Sequence, residues 1–409
     1  MTGPVLIEIT AADSHLQIVL PVIRILKARG IPAVVYSDCE LNRKPSDVTP
    51  LEREGIQYIR LADTPLPLDE AEYEKLAVPL LRRIPEEIAR LKPSLIVVLN
   101  DRNSPSIDFV WAGRAQGIPV LMLQESLRKD LFQRPTLRKR YYRWRRKIMT
   151  GIEAGLRHYG QGGCDHLTAW GHTSREYFLR VGVKPERITI TGNPRFDLFA
   201  HPDFDREAEA IRAEFHLAPD DFLLTFLSSP VEKMHIVSPA EKRDAYARLL
   251  TWMRDARGES GQRPVKLAFK LHRAENKTWL QNFLAEQNAT DFAILVDKPL
   301  YPMLWASQAS LMFSTTAGLE AALLRRPVGI LELSKPLDDW DFIGKGVAQR
   351  IASQADLTAY LQLVRGDVGL GERSRAAAHF YLDHVGQAAE HVAALIERIA
   401  GETSRSSSR

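Results

Sequence analysis

The sequence predicts an α/β protein made of two Rossmann-like lobes. Three observations lead there: short β-branched or aliphatic runs alternate with longer segments of helical spacing, this pattern pauses near residue 200 and restarts near residue 222, and the chain has 409 residues. Such alternation places strands in parallel under covering helices. A chain of this length exceeds one ordinary core and fits two domains of roughly 200 residues each.

In the first half, Leu6 to Ile9 reads as a strand, Leu16 to Lys27 as a helix ending at Gly30, and Ala33 to Tyr36 as a second strand. Gln57 to Leu61 gives a third strand and Glu70 to Leu91 a helix. Leu95 to Leu99 is a nearly unbroken apolar run, as a strand buried on both faces requires. Ile107 to Ala115 adds a helix and Val120 to Leu123 a strand. The second half repeats the scheme with strands at Phe222 to Leu227, Val265 to Lys270, near Ile294, Ser310 to Phe313 and Val328 to Leu331. Its helices are Glu241 to Ala256, Tyr301 to Ser307 and Ala317 to Leu324. Asp203 to Leu217 reads as polar helical linker. The expected domains are therefore 1–200 and 201–400, followed by a disordered tail at 401–409; the periodic segment Ala388 to Ile399 would suit either lobe.

Composition removes several classes. No apolar run approaches the ~20 residues of a membrane-spanning helix. The amino terminus lacks the pattern of a secretory signal, which predicts a cytoplasmic protein. The two cysteines, Cys39 and Cys164, are too few and too far apart for a disulfide framework or a zinc site. A net charge of +4 does not argue for nucleic acid. No GxGxxG stretch occurs, so a nicotinamide or flavin enzyme is disfavoured and no cofactor is expected. No acidic metal motif stands out either.

Loops leaving the carboxyl ends of parallel strands gather along one edge, and two such sheets facing one another make a cleft there. Polar residues directly after strands therefore carry the candidate chemistry. The first strand runs into AADSHLQ, where Asp13 or Ser14 would cap a helix and His15 would serve as base or substrate contact. The strand ending at Leu99 runs into NDRNSPS and the next into QES. Asp101 and Glu125 thus stand at neighbouring strand ends, where close carboxylates acquire separated pKa values suited to acid and base roles. Downstream, LRKDLFQRPTLRKRYYRWRRK mixes cationic side chains with Tyr141, Tyr142 and Trp144. Arg143, Trp144 and Arg145 are its candidate contacts to an acceptor or an anionic membrane surface, with RNA and a plain solvated helix as the competing readings.

The stretch TAWGHTSREYFLRVGVKPERITITGNPRFDLF reads as strand, capped helix, turn, strand and a Gly192-Asn193-Pro194 turn. This order resembles the end of the first lobe in GT-B enzymes, in particular UDP-N-acetylglucosamine 2-epimerases and CDP-glycerol or capsule-sugar transferases. FKLHRAEN resembles the lysine-x-histidine element of those families, although many relatives carry proline where this chain has Arg273. MFSTTAGLEAALLRRPVGIL resembles their donor-binding strand, turn and glutamate-bearing helix, with Ser-Thr-Thr in place of the commoner Ser-Gly-Gly or Ser-Ser.

The resemblance implies two lobes across a cleft and a nucleotide-activated sugar as substrate. Gly192, Asn193, Lys270, His272, Arg273, Ser314, Thr315, Thr316 and Glu320 would hold the donor, by cationic side chains, hydroxyls and helix amides on phosphate and a carboxylate on ribose. Asp101, Glu125 or His15 would be the base. The family's further acidic motif would fall in the basic segment near Lys139, and SSPVEKMH replaces a histidine-arginine element, leaving Ser228, Ser229 and His235 there. These departures favour a metal-independent transferase acting on a cell-envelope glycan or lipid-linked acceptor, peripheral to the inner face of a membrane. The alternatives are a nucleotide-sugar 2-epimerase and a noncatalytic envelope or RNA-binding scaffold.

Overall fold

The structure is a computed structural model. It describes residues 3–406 except 42–46, 63–65, 67–69, 128–139, 142–143, 146, 149–157, 219–220, 258–264, 273 and 334–336. Arg143 and Arg273 lie outside the described residues; of the basic segment at 127–147, Leu127, Arg140, Tyr141, Trp144, Arg145 and Lys147 are described.

The chain forms two compact units, residues 1–201 together with 381–409, and residues 202–380. The first holds a seven-stranded sheet, β1 (Val5–Ile9), β2 (Ala33–Ser37), β3 (Tyr58–Arg60), β4 (Leu95–Val98), β5 (Val120–Met122), β6 (His166–Ala169) and β7 (Ile188–Ile190). Their spatial order is β3-β2-β1-β4-β5-β6-β7, and each neighbouring pair is parallel. Period-2 alternation divides the apolar residues between two covered faces. Val5, Ile7 and Ile9 pack with helix Ala12–Ala28 and with Val392 and Ile396 of the last helix, Ala388–Ser406. Leu6, Ile96 and Val98 pack on the other face with helices Glu70–Leu91 and Ser106–Ala115.

Among the described residues the second unit has six strands, β8 (Phe222–Leu227), β9 (Val265–Lys270), β10 (Ala293–Val296), β11 (Ala309–Met312), β12 (Val328–Leu331) and β13 (Ala348–Ile351), in the order β10-β9-β8-β11-β12-β13 and again parallel. Phe222, Leu224 and Phe226 face helices Pro239–Arg257 and Lys277–Glu286. Leu223 and Ala268 face Ala208, Ile211, Met303 and Ala306. Both units are thus α/β and Rossmann-like, as the alternation predicts.

Three expectations about organisation are corrected. The segment around Asp205–Glu214 is a helix that belongs to the second unit rather than a linker: Ala208 and Ile211 are buried there, and Trp305 Nε1 donates to Asp205 Oδ1 at 2.7 Å. The last helix belongs to the first unit, so the carboxy-terminal lobe ends at 380 rather than 400. That helix runs to Ser406, so the helix includes most of the segment expected as a disordered tail. Strand β13 escapes a pattern search because its two central residues, Gln349 and Arg350, are half-buried and exposed.

The return of the chain to the first unit is held locally. Asp197 accepts the amides of Gly386, Ala388 and Ala389 at 2.9, 2.9 and 2.7 Å, filling the first turn of the last helix with a carboxylate. Gly192 has φ +75°, and a Cβ there would fall on the carbonyl oxygen of Asp383 and 2.9 Å from the Ala388 Cβ. Glycine is therefore demanded twice, by backbone angle and by close approach. Gly192→Ala is expected to cost about 1–3 kcal/mol, read as a lower urea midpoint at unchanged slope. An unaltered midpoint would contradict this packing.

Candidate functional site

In an open parallel sheet the ligand edge lies where the strand order reverses, between β1 and β4 in the first unit and between β8 and β11 in the second. Beside the first reversal, helix Ala12–Ala28 begins without a side-chain cap: Ala11 is the N-cap, and neither Asp13 nor Ser14 fills the role expected of them. His15 lies in its first turn, only 2% exposed. Its Nε2–H donates to Glu125 Oε2 at 2.8 Å, and its Nδ1 accepts the Thr10 amide at 3.2 Å. A backbone N–H can only donate, so Nδ1 carries no proton and Nε2 does. Glu125 follows β5, and its other oxygen accepts Asn100 Nδ2 at 3.1 Å. Its amide donates to the Tyr159 hydroxyl at 3.2 Å. Three strand ends thus meet on one carboxylate, which retains partial solvent exposure.

Asp101 does not join this group. Its two oxygens accept the amides of Gly160 and Gly162 at 2.9 and 2.7 Å in a fully buried position. The residue pins the loop before β6, and a Cβ at position 162 would strike the Asp101 backbone. The expected pairing of Asp101 with Glu125 is replaced by a different carboxyl pair, Glu8 with Asp38. Glu8 interrupts the apolar run of β1 and accepts Ser106 Oγ at 2.8 Å, and Asp38 follows β2; both are completely buried. Burial pushes both carboxyls up, Asp38 well above the carboxylate range with the Glu8 charge adding to it. A charged residue inside VLIEIT was the signal in the sequence.

Gly192 and Asn193 serve the fold of the first unit. Asn193 is buried, accepts the Arg195 amide at 2.9 Å and donates to the Gln124 carbonyl at 3.5 Å. Trp144 and Arg145 are exposed on helical backbone, with Trp144 6.1 Å from the Tyr141 ring.

In the second unit, β9 delivers Lys270 half-buried at its end, where burial lowers the ammonium pKa. His272 is exposed two residues on, and its Nδ1 accepts the Ala274 amide at 3.1 Å, leaving the proton on Nε2. Across β8, the end of β11 presents Ser314, whose hydroxyl donates to Asp339 Oδ2 at 3.0 Å. Thr315 Oγ1 accepts the Ala317 amide at 3.3 Å, and Thr316 is the N-cap residue but makes no side-chain capping bond. The expectation of open amides at this turn is corrected: Gly318 and Leu319 donate to the carbonyls of Thr315 and Thr316 at 3.2 and 2.9 Å, because the seven-residue helix Ala317–Leu323 starts in a tight turn. Glu320 is buried and accepts the Tyr301 hydroxyl at 3.4 Å. Of the replacement residues, Ser229 is buried and His235 exposed, while Ser228 enters an ionic network with Tyr246, Lys242 and Glu275. A cavity of about 380 Å³ adjoins that network, with Trp279 and Leu271 in its wall. Among the described residues no group of carboxylate, histidine or cysteine side chains is arranged to hold a metal ion.

Solved structures share this fold. A Listeria monocytogenes protein provisionally named a UDP-N-acetylglucosamine 2-epimerase superimposes with a TM-score of 0.68 at 16% identity, over 98% of each chain. UDP-GlcNAc 2-epimerase from Neisseria meningitidis, bound to UDP-GlcNAc, gives 0.64 at 14% identity over 96% of this chain and all of that one. A glycosyltransferase from Rickettsia africae gives 0.60 at 12% over 98% and 99%. The GT-B fold that the motifs suggested is thereby shown. No family model matches the sequence, and no curated protein matches it significantly.

The Glu8–Asp38 pair makes stability depend on pH. A carboxyl whose pKa is raised by folding binds its proton more tightly in the native state, so stability is full below the unfolded value near 3.9–4.3 and falls as pH rises toward the folded value. Asp38→Asn supplies a permanently neutral group. The variant is expected to gain in melting temperature over the parent between pH 5 and pH 8, and a difference that stays flat across that range would refute the assignment.

Proposed function

We propose that the protein is a nucleotide-sugar enzyme that transfers a sugar or polyol phosphate from a nucleotide-activated donor to a cell-envelope glycan or lipid-linked acceptor. One observation carries the reading: His15 and Glu125, 110 residues apart in sequence, meet at 2.8 Å at strand ends beside the sheet reversal. The shared fold of proteins named as epimerases and a glycosyltransferase supports the substrate class.

The hydrogen-bond pattern ranks the candidate bases. Nδ1 of His15 is occupied by the Thr10 amide and its Nε2 already carries a proton, so His15 orients Glu125 rather than accepting a proton itself. Glu125 is the base that takes the acceptor hydroxyl proton as the new glycosidic bond forms. In the second unit Lys270 and the Nε2–H of His272 stabilise the charge left on the departing phosphate oxygen, and Arg273, the next residue in the sequence, would supply a further cation. Ser314, Thr315 and Thr316 offer hydroxyls at the neighbouring strand end, and Glu320 accepts from a ribose hydroxyl. The nucleotide-sugar is consumed as substrate, and no cofactor or metal enters the scheme. Exposed Tyr141, Trp144 and Arg145 suit an amphiphilic acceptor at an anionic membrane surface. Among the described residues no helix is long and apolar enough to cross a membrane.

Three experiments test the reading. Calorimetric titration with UDP is expected to show binding to the parent and about a tenfold loss, worth about 1.4 kcal/mol, in His272→Ala; equal affinity in both would remove the donor assignment. Release of UDP from UDP-N-acetylglucosamine is expected to slow by about a hundredfold or more in Glu125→Gln while UDP affinity stays near the parent value. Incubation of the parent with UDP-N-acetylglucosamine alone, followed by NMR, decides against transfer if the 2-epimer accumulates.

A further inference from the structure

Beneath the donor loop lies a buried ionic network that joins the ends of two adjacent strands. Glu275 stands three residues after His272, with its side chain only 5% exposed. Its Oε2 accepts the backbone N–H of His272 at 3.0 Å. Its Oε1 accepts the hydroxyl of Ser228, at the end of β8, at 2.6 Å and also the ammonium of Lys242. Lys242, equally buried, spends its other donors on Glu232 Oε2 at 2.8 Å and the Ser229 carbonyl at 3.2 Å. The Tyr246 hydroxyl lies 2.5 Å from Ser228 Oγ and closes the group.

The location of this network requires explanation. A buried Lys–Glu pair contributes little net stability against an apolar pair of similar shape, because desolvating two charges offsets their attraction. What it does provide is geometry. The ammonium has three donors and finds three oxygens, so it fixes the carboxylate of Glu275 in one orientation. That carboxylate then holds one specific amide, that of His272. The same histidine is fixed a second time by the Ala274 amide on Nδ1. Backbone and imidazole are therefore both held, and Nε2–H is the donor that remains defined.

We infer that Glu275 is the positioning residue for His272. It ties the loop after β9 to the loop after β8 and thereby sets where the histidine proton sits in the donor half-site. The inference rests on the reading of His272 as a nucleotide contact, and deepens it by assigning a residue that supplies no contact of its own.

The test must separate positioning from bulk stability, since Glu275→Ala alone would leave the buried Lys242 with one carboxylate, Glu232, in place of two. Two charge-balanced doubles avoid this. Glu275→Ala with Lys242→Met removes both charges and the acceptor for the His272 amide; Glu275→Gln with Lys242→Met removes both charges but keeps an amide oxygen for it. UDP affinity is read by calorimetry, and loop order by hydrogen exchange in a peptide spanning 271–276. The alanine double is expected to lose about tenfold in affinity, to gain exchange in that peptide, and to lose nothing further when His272→Ala is added. The glutamine double is expected to recover to within about threefold of the parent on the same scale, with the slow exchange restored. Equal UDP affinity in the two doubles, whether both strong or both weak, overturns the inference and leaves Glu275 a structural ion-pair partner. If the parent binds UDP but His272→Ala does so equally well, the donor reading itself fails, and the exchange arm still reports whether Glu275 orders the loop.

Discussion

A parallel strand covered by helices on both faces offers its polar side chains almost nowhere to go, and this constraint organises both units. Charge and hydrogen-bonding capacity are pushed to the strand ends, where the ladder stops and the backbone turns outward. His15, Asn100 and Glu125 follow β1, β4 and β5, and they converge because those strands share a sheet with β1 and β4 paired in parallel. Glu8 is a charged exception, as the buried hydroxyls of Thr225 in β8 and Ser310 in β11 are neutral ones. It remains inside β1 beside Asp38, where burial pushes both carboxyls up.

At these edges, carboxylates divide into two kinds of work. Some hold backbone amides in loops that have left the ladder: Asp101 for residues 160 and 162, Asp338 for the amides of Phe342 and Ile343 at 2.7 Å each, and Asp197 for the last helix. Each oxygen committed to an amide is lost to proton transfer. Glu125 differs because its donors are side chains, His15 and Asn100, and because part of the carboxylate remains open to solvent. Whether a carboxylate anchors a loop or keeps an open edge lies in its partners, and residue type alone does not reveal it.

The first unit is completed by the end of the chain. Residues 381–406 bring Val392 and Ile396 against the same face of the sheet as Ile7 and Ile9, and Arg29 pairs with Glu390 and Glu397 on that helix. Without this segment one face of a two-sided sheet would lose part of its cover. The close approach at Gly192 and the amides gathered by Asp197 are the local means by which the segment is seated.

Sequence alone determined the element order, most strand positions and the two-unit plan, because hydrophobic period and strand length are local properties written in neighbouring residues. It also singled out His15, Glu125, Lys270, His272 and the turn at 314–316, since a polar residue directly after an apolar run falls at a strand end whatever surrounds it. Tertiary structure decided which of these meet. It set Glu125 with His15 and Asp101 with a glycine loop, filled the amides of the 317–323 turn, gave the last helix to the first unit, and brought Glu275 under His272 through Lys242. Those outcomes depend on the distance between residues remote in sequence and on which hydrogen-bond donor is already taken, quantities that exist only once the chain has closed on itself.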